Sequence, residues 1–214
     1  TSEAPIVDTK QDGTGASFSQ ELLQNIPSGR DPWVMLQRTA GIAMDRENIG
    51  GSQSGQQSGY ISRGASTGNN KWSVDGVDVT DQAATGASPV YFDFDTFEEM
   101  QVSTGGVDAT QQTGGVGINI VTKSGTDQFR GSGRYFITND KFEANNASDA
   151  LRRDGAGAGN PIQDIKDFGV EGGGPIWKGR AWFWGAYGKQ DIKVGVVGFY
   201  KADANCRPRT GFNP

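Results

Sequence analysis

Residues 18–124 carry apolar positions that first fit two short helices. Ser19 precedes one apolar cluster and can cap a short turn of helix after it. Asp31 followed by Pro32 begins the second cluster, and this pair suits a helix start because Asp caps the first turn and Pro tolerates the first helical position. We expect this second helix to end at Gly41, since glycine suits the left-handed turn that closes a helix.

The apolar positions that follow alternate with polar ones, as in β-strands. A short strand is predicted over residues 60–63, and KWSVDGVDVTD predicts a tight hairpin because an Asp-Gly pair separates two alternating runs. The segment FDFDTFEEMQVSTGG predicts a helix capped by Asp95 and then a strand over residues 101–103. The segment GGVGINIVTKSG predicts a last strand with Ile118 and Ile120 on one face.

From residue 125 the chain alternates over longer runs. In FRGSGRYFIT, Phe129, Tyr135 and Ile137 fall on one face and Arg130 falls on the other. The segments DFGVEGGGPI and RAWFWGAYGKQ predict two further strands, of which the last divides its polar and apolar positions less cleanly. The second part of the chain is therefore predicted to be a sheet with one largely apolar face.

The connections between these three strands differ greatly in length. Residues 139–166 connect the first strand to the second, whereas only WKGR connects the second to the third. Long loops that alternate with short turns are typical of outer-membrane barrels. Trp177, Trp182 and Trp184 stand beside the short turn, as in an aromatic girdle at a membrane interface. The same pattern also fits a soluble β-sandwich, so periodicity alone leaves both architectures open.

Composition narrows the choice of fold and partner. Glycine contributes 33 of 214 residues, about twice its average share of roughly 7%. Because glycine weakens regular elements and suits turns, this favours β-structure with many turns over an all-helical core. The formal net charge of −5 argues against nucleic acid as a partner, since phosphate binding needs clustered Lys and Arg. No run approaches the roughly 20 apolar residues of a membrane-spanning helix.

The side chains offer little catalytic chemistry. The sequence holds no His and one Cys, Cys206. A Ser-His-Asp triad, a Cys-His pair and a His-based metal site therefore cannot form within these residues. We interpret the adjacent Glu98 and Glu99 as acidic residues at a helix start rather than as the carboxylate pair of a glycosidase. We predict no enzyme, no cofactor and no metal site.

Two polar segments invite sharper interpretations. The three aspartates of DGVDVTD could contribute to a calcium site, but their spacing fits no EF-hand, and we favour a solvated hairpin. The segment GGSQSGQQSG could cradle a phosphate, but it lacks the P-loop Lys and the dinucleotide glycine spacing. We therefore interpret it as a polar loop.

Four segments resemble one protein family. They are RDPWVMLQRTAGI, SRGASTGNNKWSVDGVDVTD, FDTFEEMQVSTGGVDATQQTGGVGINIVTKSGTDQFRGSGRYF and FGVEGGGPIWKGRAWFWGAYG. Together they resemble the TonB-dependent outer-membrane receptors, and most of all their Oar-like branch. The resemblance implies an extended arm over residues 1–17, an α+β plug domain over 18–124, and the first antiparallel transmembrane β-strands and extracellular loops of a β-barrel over 125–214. Because so few strands cannot close a barrel, we expect these residues to be the N-terminal part of a longer protein.

The resemblance also implies a function, which is ligand-gated active uptake, or export, through a plugged barrel in the bacterial outer membrane. The plug would lie in the barrel lumen with the N-terminus in the periplasm. The implied partners are TonB with ExbB and ExbD, outer-membrane lipids and an extracellular ligand of unknown identity. The TonB box is not placed, and EAPIVDT, residues 3–9, is the candidate that we retain. A β-rich surface or adhesion protein without transport is the alternative.

Seven residues are site candidates under this resemblance. Loops at the apex of the plug would offer a ligand the side chains of Gln53, Gln56, Gln57, Asp81 and Tyr91. Arg63 and Glu98 would instead hold the plug against the barrel. Arg63 stands in SRG, where the family usually has Ile/Val-Arg-Gly, and we expect it to pair with a carboxylate in the lumen.

Overall fold

The computed structural model describes residues 14–26, 28–48, 51–105, 113–144, 147–155 and 159–197. The chain divides into two compact units. One comprises residues 1–132 with 170–187, and the other comprises residues 133–169 with 188–214. The first unit holds the predicted plug together with residues 125–132 and 170–187 of the predicted wall.

The described residues form short helices and strands in this order. The strands are β1 (Thr14–Ser19), β2 (Ile42–Met44), β3 (Tyr60–Ser62), β4 (Lys71–Val74), β5 (Val77–Asp78), β6 (Phe97–Gly105), β7 (Gly117–Thr122), β8 (Arg130–Asn139), β9 (Ile162–Trp177) and β10 (Ala181–Val194). The α-helices are α1 (Gln20–Asn25), α2 (Pro32–Gln37) and α3 (Asp149–Arg153), and short 3-10 turns span Thr67–Asn69, Phe94–Thr96 and Asp140–Phe142.

A five-stranded mixed sheet organises the predicted plug. Its strand order is β1-β6-β7-β4-β5. β6 runs antiparallel to both β1 and β7, whereas β7 and β4 run parallel. Met100 in the middle of β6 lies beside Phe18 of β1 and Ile120 of β7. β2 and β3 form a separate antiparallel pair.

The hydrophobic core lies where α2 and the aromatic residues cover this sheet. Met35 and Leu36 of α2 and Trp72, Met100 and Ile120 of the sheet are fully buried. The indole ring of Trp72 also lies near other aromatic rings, those of Trp33, Tyr60 and Phe92. Burial of these large side chains is the main favourable contribution to folding of the plug.

The predicted helix start at Asp31 is confirmed. The Asp31 carboxylate accepts the Trp33 amide at 2.9 Å, and Pro32 occupies the first turn of α2. The predicted end at Gly41 is wrong, because α2 stops at Gln37. The Arg38 amide closes the helix onto backbone carbonyls of the last turn, and Gly41 supplies a left-handed residue (φ 84°) in the turn beyond it.

The predicted hairpin and the predicted last plug strand are also confirmed. β4 and β5 pair across Asp75 and Gly76, which have φ angles of 49° and 81°. Two consecutive left-handed residues are the geometry of the tight hairpin turn that Asp-Gly favours. Ile118 and Ile120 of β7 are both buried, as expected for one face of a strand.

The predicted helix after Asp95 is wrong. Asp93, not Asp95, caps a single 3-10 turn, and the chain then continues as strand β6 from Phe97. A register shift between Phe97 and Glu99 lets both Phe97 and Met100 reach the core. This irregularity gives a strand the three-residue apolar spacing of a helix. The interpretation of Glu98 and Glu99 as helix-start residues fails with it, since both lie in β6.

The first described strand begins before residue 18. β1 begins at Thr14 and pairs with β6, so residues 14–17 of the expected arm lie in the plug sheet. Residues 1–13, which include the TonB-box candidate, lie outside the described residues.

β8, β9 and β10 form a three-stranded sheet in the order β10-β9-β8. β9 and β10 are longer than the sequence pattern predicted, and the connection between β8 and β9 shrinks to residues 140–161, which include α3. The β9–β10 connection is the short turn of residues 178–180. None of the helices described is both long enough and apolar enough to cross a membrane.

The strands in the first unit have one apolar, exposed face. Its members are Phe129, Val170, Ile176, Phe183 and Tyr187. On the opposite face of the same strands, Glu171 is buried and Trp184 is half-buried, whereas Trp177 and Trp182, beside the short turn, are exposed. In the second unit, Tyr135 and Ile137 are exposed, whereas Arg134 is largely covered and donates to Asp167 at 3.0 Å.

Candidate functional site

Gln57 joins two connections of the plug. Its side-chain amide donates to the Ser88 carbonyl at 2.8 Å, and its side-chain oxygen accepts the Ser88 amide at 3.1 Å. Gln57 lies in the β2–β3 connection and Ser88 in the β5–β6 connection. The amide group that was predicted to bind a ligand is therefore engaged within the protein.

The other two glutamines lie in the same β2–β3 connection. The exposed Gln56 accepts a hydrogen bond from Arg46 at 2.9 Å. The backbone amide of Gln53 donates to the side chain of Asn48 at 3.1 Å. Gln56 is the more accessible of the two, since Gln53 is half-buried.

A buried carboxylate fastens this connection to α2. Asp31 is 3% exposed, and its second oxygen accepts from Asn48 at 3.0 Å. Asn48 also donates to Ser54 at 2.9 Å, and Ser54 donates to the Gly29 carbonyl at 2.8 Å. Burial raises the pKa of Asp31 to about 6, because the charged carboxylate loses its hydration. The network therefore holds the Gln-rich connection in place at the cost of a buried ionisable group.

Asp81 lines a polar groove at the end of the sheet where β4 and β7 begin. The groove has a volume of about 280 Å³, and its lining includes Lys71, Asp78, Thr80, Asp81 and Gln82. The Asp81 carboxylate accepts the amides of Ala84 and Ala83 at 3.0 and 2.7 Å. These hydrogen bonds lower the pKa of Asp81, the Ala84 amide having the largest effect.

A second carboxylate gives this groove fixed negative charge. The amide and hydroxyl of Thr80, together with Lys71, lower the pKa of Asp78 to about 2. Lys71 Nζ lies 3.0 Å from the Asp78 carboxylate. Two carboxylates against one ammonium, with hydroxyl and amide groups beside them, suit a polar ligand that donates hydrogen bonds.

Tyr91 closes the same β5–β6 connection that carries Asp81 and Ser88. Its side chain is 60% exposed, and its ring centroid lies 6.0 Å from that of Trp33. One side of the ring thus rests on the core while the rest faces outward. Asp81 and Tyr91 therefore lie in the β5–β6 connection, whereas Gln53, Gln56 and Gln57 lie in the β2–β3 connection. Gln57 joins the two connections through Ser88.

Arg63 does not meet a carboxylate in the described part of the chain. Its guanidinium donates to the Thr14 hydroxyl at 2.7 Å, at the first residue of β1. Its backbone adopts φ 52°, a left-handed conformation that L-residues seldom adopt. Among the residues described, Arg63 therefore ties the β3 turn to the first strand.

Glu98 lines a cavity of about 170 Å³ between the plug sheet and the wall strands of the first unit. Lys123, Arg130 and Glu171 contribute to the same lining. The exposed position of Glu98 on β6 is consistent with a role beside the wall.

Sequence reasoning missed a buried ion pair between plug and wall. Lys123 directly follows β7, and its Nζ lies 2.7 Å from the Glu171 carboxylate of β9. The two side chains are only 4% and 6% exposed. Ser132 of β8 donates to the other Glu171 oxygen at 2.8 Å, so both carboxylate oxygens have partners.

An aromatic ring and a glycine complete the surroundings of this ion pair. Lys123 Nζ lies 5.6 Å from the centroid of the Trp184 ring, on β10. A Cβ atom at Gly173 would lie 2.3 Å from Trp184 Cε3. Only a residue without a side chain lets the indole lie against β9 at this point.

Asp127, four residues after Lys123, makes a second contact with the wall. The Asp127 carboxylate accepts the Gly179 amide at 2.9 Å and the Trp182 indole N–H at 2.7 Å. Residues 123–127, which we call the handover segment, are thus attached to the wall at both ends. Glu171, an acidic residue opposite the apolar face of β9, was visible in the sequence, but its partner was not.

Comparison with known proteins gives consistent matches. The family described as TonB-dependent Receptor Plug Domain matches residues 9–118, and the Outer membrane beta barrel domain matches residues 121–205. The chain is 30% identical over 188 residues to the TonB-dependent transporter Oar of Myxococcus xanthus, which covers 86% of this chain and 17% of that protein.

The fold is also similar to a solved structure. The siderophore receptor PirA from Acinetobacter baumannii matches with a TM-score of 0.61 at 17% identity, over 83% of this chain and 24% of that one. The chain therefore spans a quarter or less of the length of these two relatives.

Proposed function

The chain belongs to the TonB-dependent receptors of the bacterial outer membrane, and from that premise we propose that the protein is an active transporter that moves an extracellular ligand through a plugged barrel. The observation that carries this proposal is the direct passage from the plug sheet, through Lys123, to wall strands with an apolar exposed face. A plug fastened to a lipid-facing wall suits gated passage across a membrane.

The proposed energy source is the periplasmic complex of TonB, ExbB and ExbD, which would pull on the N-terminal side of the plug. The ligand would bind at the β2–β3 and β5–β6 connections, where the Asp81 groove and the exposed Tyr91 ring lie. No covalent chemistry is needed for this role, and we propose none.

The first candidate ligands are hydrogen-bond donors with polar surfaces, because the groove presents carboxylate, hydroxyl and amide groups. Gln56 and Asp81 are the proposed contacts. Gln57 would act by holding the two connections together, given its hydrogen bonds to Ser88.

Uptake measurements in the native bacterium test the proposal. Radiolabelled ferric siderophores, oligosaccharides and peptides would be supplied to wild-type cells, to cells without the receptor and to cells without TonB. We expect uptake of one class of compound to be lost equally in both deficient strains. Unchanged uptake of the whole panel in the receptor-deficient strain, together with loss of surface attachment, would instead favour an adhesion protein.

A further inference from the structure

The handover segment is attached to the wall by groups to which the transport proposal gives no role in movement of the plug. Lys123 belongs to the plug side, since it follows β7 and its amide donates to the Thr96 carbonyl at 2.8 Å. Glu171, Ser132 and Trp184 belong to three different wall strands. Lys123 therefore contacts β9 and β10 directly and is linked to β8 through Glu171.

The surroundings of the Lys123–Glu171 ion pair oppose its separation. Removing either partner would leave the other charge buried and unpaired, which is strongly unfavourable. The second Glu171 oxygen is held by Ser132 at 2.8 Å, and the Lys123 ammonium faces the Trp184 ring. A hydrogen bond and an aromatic ring therefore contact the two charged groups in addition to the ion pair itself. Separation of the pair would give these groups little further stabilisation.

Strand β1 forms no ion pair to the wall in the described residues, although α1, which follows it, shares the lining of the cavity beside Lys123. β1 is an edge strand of the plug sheet and pairs only with β6. Thr14, at its start, contacts Arg63, another plug residue. The edge strand can therefore move without breaking any described ion pair to the wall.

We propose that Lys123 and Glu171 are positioning residues that keep the end of the plug fixed to the wall while the strands before it rearrange. This inference rests on the proposed function for the movement that it limits. The movement would begin at β1 and stop at β7, because the handover segment is held at Lys123 and again at Asp127.

Distances between spin labels in the full-length receptor test this attachment without a ligand or a partner protein. With Cys206 replaced by Ser, labels are placed on Ser124→Cys and Lys178→Cys to follow the handover segment. A second pair, Ser19→Cys and Lys178→Cys, follows β1. Both pairs are measured in detergent, with and without urea at a concentration that loosens the plug but leaves the barrel folded.

In urea, we expect the distribution of distances between labels 124 and 178 to stay narrow. The distribution between labels 19 and 178 should broaden. Glu171→Gln should lose the narrow 124–178 peak, and the charge exchange Lys123→Glu with Glu171→Lys should restore it. Lys123→Met removes the same interaction from the plug side if Glu171→Gln fails to fold. Asp167→Asn is the matched control, because it lies four residues earlier in β9 and its partner Arg134 belongs to the wall.

Two results would overturn the inference. One is a 124–178 distance that broadens in the wild-type receptor together with the 19–178 distance. The other is a narrow 124–178 peak that survives both Glu171→Gln and Lys123→Met. Failure of the uptake experiment alone would reject transport but would leave this attachment standing, since the label distances do not depend on uptake.

Discussion

At the scale of single residues, the plug places several ionisable groups where water cannot reach them. Asp31 shows the consequence most directly, because one carboxylate caps α2 and also anchors Asn48. Its burial is the dominant influence on its protonation, ahead of the hydrogen bonds that it accepts from Trp33 and Asn48. The residue that starts a helix is thus also one whose burial raises its pKa to about 6.

We predict that Asp31→Asn changes how the stability of α2 depends on pH. The pKa of Asp31 rises from 3.8 to about 6 on folding, so the folded plug holds this proton when the unfolded chain has lost it. The contribution is favourable below pH 4 and is lost as the pH rises through 6, by about 3 kcal/mol. Asparagine keeps the cap but carries no proton to lose.

Hydrogen exchange of the α2 amides at pH 5 and pH 7, corrected for intrinsic rates, measures this effect. Relative to the variant, the wild-type helix should open more readily at pH 7 than at pH 5. Equal pH dependence in the two proteins would show that Asp31 titrates normally.

At the scale of elements, the two connections near the proposed ligand groove depend on each other. Gln57 supplies both hydrogen bonds that join Ser88 to the β2–β3 connection. The β5–β6 connection contains no strand or α-helix of its own. Its position therefore depends on side-chain contacts of this kind.

We predict that Gln57→Ala loosens the β5–β6 connection before any ligand is present. The loss of two hydrogen bonds to buried Ser88 should weaken its protection by about 1–3 kcal/mol, which speeds exchange of its amide by roughly 5-fold to 150-fold. Gln56→Ala is the control, since Gln56 lies in the same connection but contacts Arg46. An unchanged Ser88 exchange rate in Gln57→Ala would mean that other contacts hold this connection.

The sequence predicted those elements whose signal comes from residues close together in the chain. The Asp-Gly hairpin, the Asp31 cap and the Ile118–Ile120 face depend on neighbours a few residues apart. β6 was missed in part, because an irregularity in its pairing gave a strand helical spacing. The Lys123–Glu171 pair could not be predicted, since the two residues are 48 apart and meet only after both sheets have formed.

At the scale of the whole molecule, the wall strands of the first unit carry an apolar exposed face, and Glu171 on the opposite face of β9 contacts the plug residue Lys123. Val170 and Glu171 are neighbours in β9, yet the first is 60% exposed and the second is covered. In water such an exposed apolar face would favour aggregation, whereas in a membrane it can contact lipid hydrocarbon. The described strands are therefore suited to a lipid environment.

We predict that Val170→Arg reduces the amount of folded receptor in the outer membrane. An arginine facing lipid in a β-barrel costs roughly 2–4 kcal/mol near the bilayer midplane. Val77→Arg is the matched control, because Val77 has similar exposure, 66%, but lies on the plug hairpin. Heat-modifiable migration on gels reports the folded fraction, and equal yields of the two variants would contradict a lipid-facing Val170.

Conductance of the full-length receptor in a planar lipid bilayer tests the central claim most directly, which is that residues 14–122 close a pore formed by a barrel. The intact receptor should show almost no current, and a variant without residues 14–122 should form large, stable channels. An intact receptor that conducts as well as the truncated one, or a truncated one that inserts without conducting, would contradict the account.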